Sequence, residues 1–245
     1  MFSLLLAMIY LAFISLGLPD ALLGAAWPVL YKDFNVPLSF AGIITFIISC
    51  GTVVSSLMSD RITRRLGAGK VTAFSVLLTA VALFGFSVSN SFRMLCLWAI
   101  PYGLGAGAVD AALNNYVALH YSSRHMNWLH CFWGVGVTLS PYIMSVSLQH
   151  DLGWQSGYRT VSFIQIALTL CLFLSLPLWK KRDNENADHS ENPARLGLSG
   201  ALRIPGVKYI LAAFFCYCSL ESVAIVWSCS YLAFARGFSP ADAAK

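Results

Sequence analysis

Charged residues are scarce in this chain. Asp, Glu, Lys and Arg make up 11% of its 245 residues, whereas a typical soluble domain carries roughly 25%. Hydrophobic residues make up 58%, so the polar residues are too few to cover a globular surface. The shortage of charge excludes an ordinary soluble domain and indicates a membrane protein.

A disulfide framework and a nucleic-acid interface are also poorly supported. The chain has seven cysteines, an odd number, and each falls inside an apolar stretch where Cys packs as a small apolar residue. The net charge is +5, but the basic residues are spread over the connections between these stretches and form no patch that would bind nucleic acid. We therefore expect neither feature.

The sequence does contain seven apolar runs that are long enough to cross a bilayer. A helix needs about 20 residues to span about 30 Å of hydrocarbon. The runs cover residues 3–29, 38–58, 70–90, 94–118, 128–149, 158–179 and 207–233. The first run lacks the basic start and the cleavage pattern of a signal peptide, so we expect it to be retained. The predicted fold is an all-α integral membrane protein.

The basic residues predict the orientation of the chain. Eleven Lys and Arg lie on the side that holds the connections after the second, fourth and sixth runs, and five lie on the other side. The side richer in positive charge faces the cytoplasm. We therefore predict a multi-pass protein of the cell membrane, inner or plasma, with a cytoplasmic amino terminus.

The longest connection separates the first six runs from the seventh. Residues 180–205, KKRDNENADHSENPARLGLSGALRIP, are charged and polar and cannot bury a core. The sequence predicts a six-helix transmembrane half at 1–179, a cytoplasmic linker at 180–206, and a seventh helix with the start of an incomplete second half at 207–245. The closing FSPADAAK is typical of the start of a further helix.

Two acidic residues recur in matching surroundings inside apolar runs. GLPDALL at 17–23 and GAVDAAL at 107–113 share Gly-x-x-Asp-Ala-x-Leu, which places Asp20 in the first run and Asp110 in the fourth. These two runs cross in opposite directions, so the match predicts inverted repeats, as in secondary transporters. Chance similarity between segments rich in Gly, Ala and Leu is the alternative.

Asp20, Asp110 and Glu221 are the three acidic residues inside the predicted runs. An ionised aspartate at the bilayer centre costs about 2.5 to 3.5 kcal/mol on insertion scales, and the nearest Lys and Arg lie at the ends of runs. Because burial disfavours the charged form, we predict these three acids as proton-coupling residues. The alternative is that each faces a hydrated cavity and only binds a polar ligand, or is satisfied by neighbouring Asn and Ser.

Polar and aromatic side chains accompany Asp110 at helical spacing. Asn114 lies four residues further on, with Asn115 beside it, and His130 and Trp133 lie three apart in the fifth run. An aromatic ring beside polar donors suits a sugar, because the ring stacks on the apolar face while the donors bind hydroxyls. We predict these four as substrate-binding residues; an interfacial role for His130 is the alternative.

SDRITRRLGAGK, between the second and third runs, resembles the Asp-Arg-x-Gly-Arg-Arg signature of the major facilitator superfamily. Asp60, Arg61, Arg64 and Arg65 stand in the matching positions, and Thr63 replaces the usual Gly. The resemblance implies a cytoplasmic gating motif, a charge latch between two six-helix halves. The same positive residues would also serve topology alone.

The resemblance also implies an architecture. The superfamily normally has twelve helices in two halves, so this chain corresponds to the N-terminal six-helix bundle of 3+3 inverted repeats plus helix 7. Five helices are then expected to be missing after it. By the same comparison, Glu221 corresponds to a helix 7 acid at the central cavity.

GAGAVDAALNNYV, followed by NWLHCFWGVG, is similar to helices 4 and 5 of the fucose permease group of sugar:proton symporters. Asp110 matches the helix 4 carboxylate of that group, one of the two following Asn matches its Asn, and His130 matches its helix 5 Gln. The helix 1 acid of the group falls at Gly24, whereas this chain carries Asp20 one turn earlier. Fucose itself is therefore not implied as the substrate.

These patterns predict a secondary active transporter that moves a sugar or similar small polar solute with a proton by alternating access. Its expected partners are the solute, the proton and the lipid bilayer, and no cofactor is expected. An efflux antiporter of the same superfamily for drugs or metabolites is the alternative, although GVGVTLSPYIMS lacks the glycine pair expected of one. A photoreceptor would need a lysine within 209–233, which holds none, and an enzyme would need a catalytic or metal-binding constellation.

Overall fold

A computed structural model describes residues 4–187 and 198–245 of the chain. Its helices are α1 (Leu4–Asp20), α2 (Leu22–Asp33), α3 (Ala41–Leu66), α4 (Ala68–Ser87), α5 (Phe92–His120), α6 (Ser123–Gln149), α7 (Gly153–Ala187), α8 (Leu198–Ala201), α9 (Val207–Ala235) and α10 (Pro240–Ala244), with a 3₁₀ turn at Leu38–Phe40. No strand occurs in these ranges. Seven segments are long and apolar enough to cross a membrane, with α1 and α2 together forming the first. The predicted all-α membrane architecture is confirmed.

The first span is interrupted near its middle. α1 ends at Asp20 and α2 begins at Leu22, with Ala21 between them. Pro19 has no N–H, so the Ser15 carbonyl one turn earlier has no donor within its own helix. Proline is the usual cause of such an interruption, and here it places Asp20 where the helix breaks.

Glycines bring two pairs of helices into backbone contact. A Cβ atom on Gly17 of α1 would overlap the carbonyl oxygen of Trp133 on α6, and a Cβ on Gly136 of α6 would overlap α1 in return. Gly107 of α5 lies in the same way against Thr52 of α3. Small residues permit such close crossings in membrane proteins. Gly17 and Gly107 are the first residues of the two repeated segments, so each repeat uses its glycine to seat a partner helix.

The repeats pair their helices in an inverted order. The first span packs on the fifth, as α1 on α6, and the fourth packs on the second, as α5 on α3. The third and sixth spans, α4 and α7, pack on each other behind these pairs, and α4 also supports α5. This is the N-terminal bundle of 3+3 inverted repeats, followed by α9 as helix 7.

Several helices continue beyond the boundaries that hydropathy predicts. α3 runs to Leu66, so the segment expected to be a loop after 58 is helical, and the turn to α4 is made by Gly67 at φ +82°. α7 runs to Ala187, past the predicted start of the linker at 180. Residues 188–197 of that linker lie outside the described part of the chain, and the division into 1–179, 180–206 and 207–245 stays a prediction.

The end of the described chain folds back against the bundle. α9 meets α2 where Gly24 faces Ile225 and Val226, and a Cβ on Gly24 would overlap the Ile225 carbonyl. Ser239 caps α10 by accepting a hydrogen bond from the Asp242 N–H at 3.1 Å. The expectation that FSPADAAK starts a helix is therefore confirmed.

Candidate functional site

Asp20 accepts hydrogen bonds from two different helices. The Tyr102 hydroxyl of α5 donates to its Oδ1 at 2.8 Å, and the Trp133 indole N–H of α6 donates to its Oδ2 at 2.9 Å. Each carboxyl oxygen thus has a neutral donor at a normal distance. At membrane depth, these two bonds replace part of the hydrogen bonding that water would give the carboxyl group at the surface.

Two chambers meet at this carboxyl group. One, here called the Gly42 chamber, has a volume of about 500 Å³ and extends toward the first turns of α3. The other, the Asp110 chamber, has a volume of about 650 Å³ and extends toward Asp110 and His130. Asp20, Tyr102, Trp133 and Glu221 line both. The hydrogen-bonded group around Asp20 therefore stands where the two chambers join.

Asp110 lines the second chamber and bonds to the neighbour that the sequence predicts. Asn114 Nδ2 donates to Asp110 Oδ1 at 2.8 Å and to its main-chain carbonyl at 3.0 Å. The shared helical face of these two residues is confirmed. Asn115 is exposed, and neither Asn114 nor Asn115 is among the residues that line either chamber.

His130 and Trp133 share the Asp110 chamber, as their spacing predicts. The His130 ring stands edge-on to Phe13 with a centroid separation of 5.9 Å. Because the Trp133 N–H is already donated to Asp20, the part of this residue that can meet a ligand is the face of its ring. The Trp133 side chain thus holds the Asp20 carboxyl group and also offers a face for stacking.

Glu221 brings α9 into the site. It lines both chambers, and Tyr217, one turn earlier, donates to its Oε1 at 3.2 Å. The three acids predicted for proton coupling therefore face one continuous space, from α1, α5 and α9. Their roles in coupling stay predictions.

The residues predicted as a gating motif lie on the last turns of α3 and line neither chamber. Arg64 forms an ion pair with Asp60 at 2.9 Å, four residues apart on one helix, and more than half of each side chain is exposed. Arg61 and Arg65 are exposed beside them. An exposed pair of this kind contributes little to stability. Its predicted role is instead to latch the two halves during transport.

Sequence reasoning missed two residues that hold the site together. Tyr102 was not singled out, although it is a polar residue on the same helix as Asp110. Gln165 of α7 is buried and bonds both to α1 and to α4. Ser162 and Thr169, three residues before it and four after, form with Gln165 a polar stripe on an apolar helix. That stripe was the available signal.

A family model decides what kind of protein carries this site. The model described as Major Facilitator Superfamily matches residues 9–244, nearly the whole chain. The chain belongs to the Major Facilitator Superfamily. The members of this family are membrane transporters.

A solved structure shows the same fold. The crystal structure of a D-xylose-proton symporter matches with a TM-score of 0.66 at 14% identity, over 98% of this chain and 63% of that chain. Identity at this level supports a shared fold and leaves the substrate open.

Curated relatives are distant and longer. Bypass of stop codon protein 6 of Saccharomyces cerevisiae is 21% identical over 242 residues, covering 90% of this chain and 48% of the relative. Quinolone resistance protein NorA of Staphylococcus aureus is 24% identical over 139 residues, 55% of this chain and 35% of NorA. The uncharacterized transporter y4wD of Sinorhizobium fredii is 23% identical over 125 residues, 49% of this chain and 33% of that protein. The chain thus spans about half or less of these relatives, and they do not confirm the finer resemblance to the fucose permease group.

Proposed function

We propose that the protein takes part in proton-coupled symport of a sugar or similar small polar solute by alternating access. The observation that carries the proposal is the meeting of two chambers at a hydrogen-bonded carboxyl group, with Asp110 and Glu221 in the same space. A carboxyl group at membrane depth that faces a cavity is a functional site by default.

The three acids have different surroundings, and we assign them different roles. Both oxygens of Asp20 accept hydrogen bonds, which hold it in place between the helices. Asp110 accepts one side-chain bond at Oδ1, and among the described residues its Oδ2 has no hydrogen-bond donor. Asp110 is thus the acid best placed to exchange a proton with water in its chamber. Glu221 carries the same chemistry on helix 7.

The solute site combines an aromatic face with polar groups. Trp133 offers its ring to the Asp110 chamber, where His130 and Asp110 supply donors and acceptors. Asn114 bonds to the Asp110 carboxyl group and orients it. A sugar ring has an apolar face for stacking and hydroxyls for such groups. The match to the fold of a D-xylose-proton symporter supports this proposal. We place the protein nearest the fucose permease type, without fucose as the implied substrate.

In the proposed cycle, the protonation state of Asp110 controls reorientation. Protonation removes the negative charge whose transfer between the two access states is costly in a medium of low dielectric constant. Solute and proton enter together, and release of both inside resets the carboxyl group. We propose that the cycle operates in the cell membrane with a cytoplasmic amino terminus, and that Asp60, Arg61, Arg64 and Arg65 latch the cytoplasmic side.

Efflux is the second candidate, and one observation favours it. The match to NorA, a quinolone resistance protein, covers 55% of this chain. An antiporter would use the same acids to exchange protons for an outgoing drug or metabolite.

Proton movement in proteoliposomes that carry the protein tests the proposal. A panel of neutral sugars is added outside, and alkalinisation of the external medium is recorded. The symporter is expected to take up protons with at least one sugar, and Asp110→Asn is expected to reduce that signal to background while sugar exchange persists. If the protein responds to no sugar but exchanges protons for a fluorescent drug, symport is overturned and efflux is established.

A further inference from the structure

The side chain of Gln165 joins three helices inside the bundle. Its Nε2 donates to the Ser15 carbonyl of α1 at 2.6 Å, and its Oε1 accepts from the Thr79 hydroxyl of α4 at 2.9 Å. Gln165 is 1% exposed, as is Ser15. A buried amide with both ends bonded holds its neighbours in defined positions, because any shift leaves a polar group unsatisfied.

The Ser15 carbonyl needs this donor because of Pro19. In an unbroken α-helix the N–H of residue 19 would donate to the carbonyl of residue 15. Proline has no N–H, so the carbonyl is left without a partner in its own helix. Gln165 supplies the missing donor from α7.

This repair lies next to the site. Pro19 immediately precedes Asp20, and both line the Gly42 chamber. The donors to Asp20 come from α5 and α6 at 2.8 and 2.9 Å. Bonds of this length form only when the last turn of α1 has the correct height and rotation against those helices.

Thr79, which bonds to Gln165, also contacts α5. The Thr79 methyl group faces Gly105, where a Cβ atom would come within 2.8 Å of it. Gly105 lies one turn after Tyr102 on α5. Thr79 therefore contacts the helix that carries one of the donors and bonds the side chain that fixes α1.

We infer that Gln165 is a positioning residue for Asp20: it completes the hydrogen bonding of α1 at the Pro19 break and thereby holds the carboxyl group against Tyr102 and Trp133. The inference deepens the proposed function, in which Asp20 stands at the junction of the two chambers. Gln165 lies behind the chambers and acts through α1.

Carboxyl labelling tests the inference without any knowledge of the substrate. The protein in liposomes is treated with a hydrophobic carbodiimide, and modification at Asp20 and Asp110 is quantified separately by peptide mass spectrometry. Gln165→Leu is expected to increase labelling at Asp20 by about threefold or more, as the loss of one hydrogen bond would allow. Labelling at Asp110 is expected to stay unchanged, because Asn114 holds it from its own helix.

Three further substitutions separate positioning from general packing. Ser162→Ala removes another buried bond between α7 and α4, from Ser162 Oγ to the Ala80 carbonyl at 2.8 Å, and is expected to leave Asp20 labelling unchanged. Pro19→Ala restores the missing N–H, so adding Gln165→Leu in that background is expected to cause no further increase. Thr79→Val keeps the shape of the side chain and removes the bond to Gln165; it is expected to act in the same direction as Gln165→Leu and serves if that variant does not fold.

Equal labelling of Asp20 in wild type, Gln165→Leu and Thr79→Val would overturn the inference, and so would a rise that affects Asp20 and Asp110 alike. The outcome is distinguishable from the fate of the proposed function. A protein that moves no proton with any sugar but shows the selective rise at Asp20 would retain the positioning role and lose symport.

Discussion

Asp20 is held at membrane depth by neutral donors. A phenol and an indole, from two helices, each donate to one carboxyl oxygen. Neutral donors stabilise a carboxylate less than a cation does. The two bonds therefore hold the Asp20 carboxyl group between α5 and α6 less strongly than an ion pair would.

Replacing Tyr102 by Phe removes one of these donors and little volume. We expect Tyr102→Phe to lower the free energy of unfolding by about 1 to 3 kcal/mol, the cost of leaving a buried acceptor without its donor. Thermal unfolding of the purified protein in detergent measures it.

Tyr158 offers a matched control for that substitution. It is as buried as Tyr102 and lies in the same apolar cluster, yet its hydroxyl has no hydrogen-bond partner in the described part of the chain. Tyr158→Phe is therefore expected to be neutral or slightly stabilising. Equal losses in the two variants would contradict the role given to the Tyr102 bond.

The partners of these residues show what sequence can and cannot predict. Asp110 and Asn114 are four residues apart on one helix, so the helical period alone predicts their contact. Tyr102 and Trp133 are 82 and 113 residues from Asp20, and no local period reports a contact between helices. The acids could be identified from the sequence because charged residues are rare inside apolar runs. Their hydrogen-bond donors could be identified only from the packing of the bundle.

At the level of helices, close crossings depend on particular glycines. Gly136→Ala places a methyl group on the backbone of α1, and we expect it to destabilise the protein by about 1 to 3 kcal/mol through overpacking. Gly134, on the same helix, has no described atom within 4 Å of an added Cβ. Gly134→Ala is expected to be neutral or to stabilise by up to about 1 kcal/mol, because Ala is the better helix former.

The melting temperatures of the two variants, measured side by side in one detergent, give the comparison. Similar effects of both substitutions would mean that the α1–α6 crossing does not depend on its glycines. Substitution of Gly17 gives an independent check from the other helix.

Hydropathy located all seven spans and misplaced their ends. The apolar pattern marks the part of each helix that lies in the hydrocarbon, so it does not show where a helix continues into water. α3 continues through Arg64 and Arg65 because arginine is a good helix former, and it stops where Gly67 adopts a positive φ. The break at Ala21 was also missed, although Pro19 was a signal for it in the sequence.

For the molecule as a whole, alternation of the spans fixes which ends share a side. Two single-cysteine variants, Arg65→Cys and Asn90→Cys, are made in a background without the native cysteines. Arg65 lies just before the third span and Asn90 just after it, and both are exposed. An impermeant maleimide added to intact cells is expected to label position 90 and not position 65, because basic residues are retained in the cytoplasm. Labelling at position 65 in intact cells, with none at 90, would invert the topology.

Little of α9 is buried within the described part of the chain. Only 6% of the most apolar window of α9 is buried, against 61% for the first span, although its mean hydropathy there is 1.9. Hydrocarbon accepts such a helix on composition alone, since its main-chain groups bond within it. Substitutions on the exposed face of α9 are therefore expected to leave the packing of the first six spans unchanged.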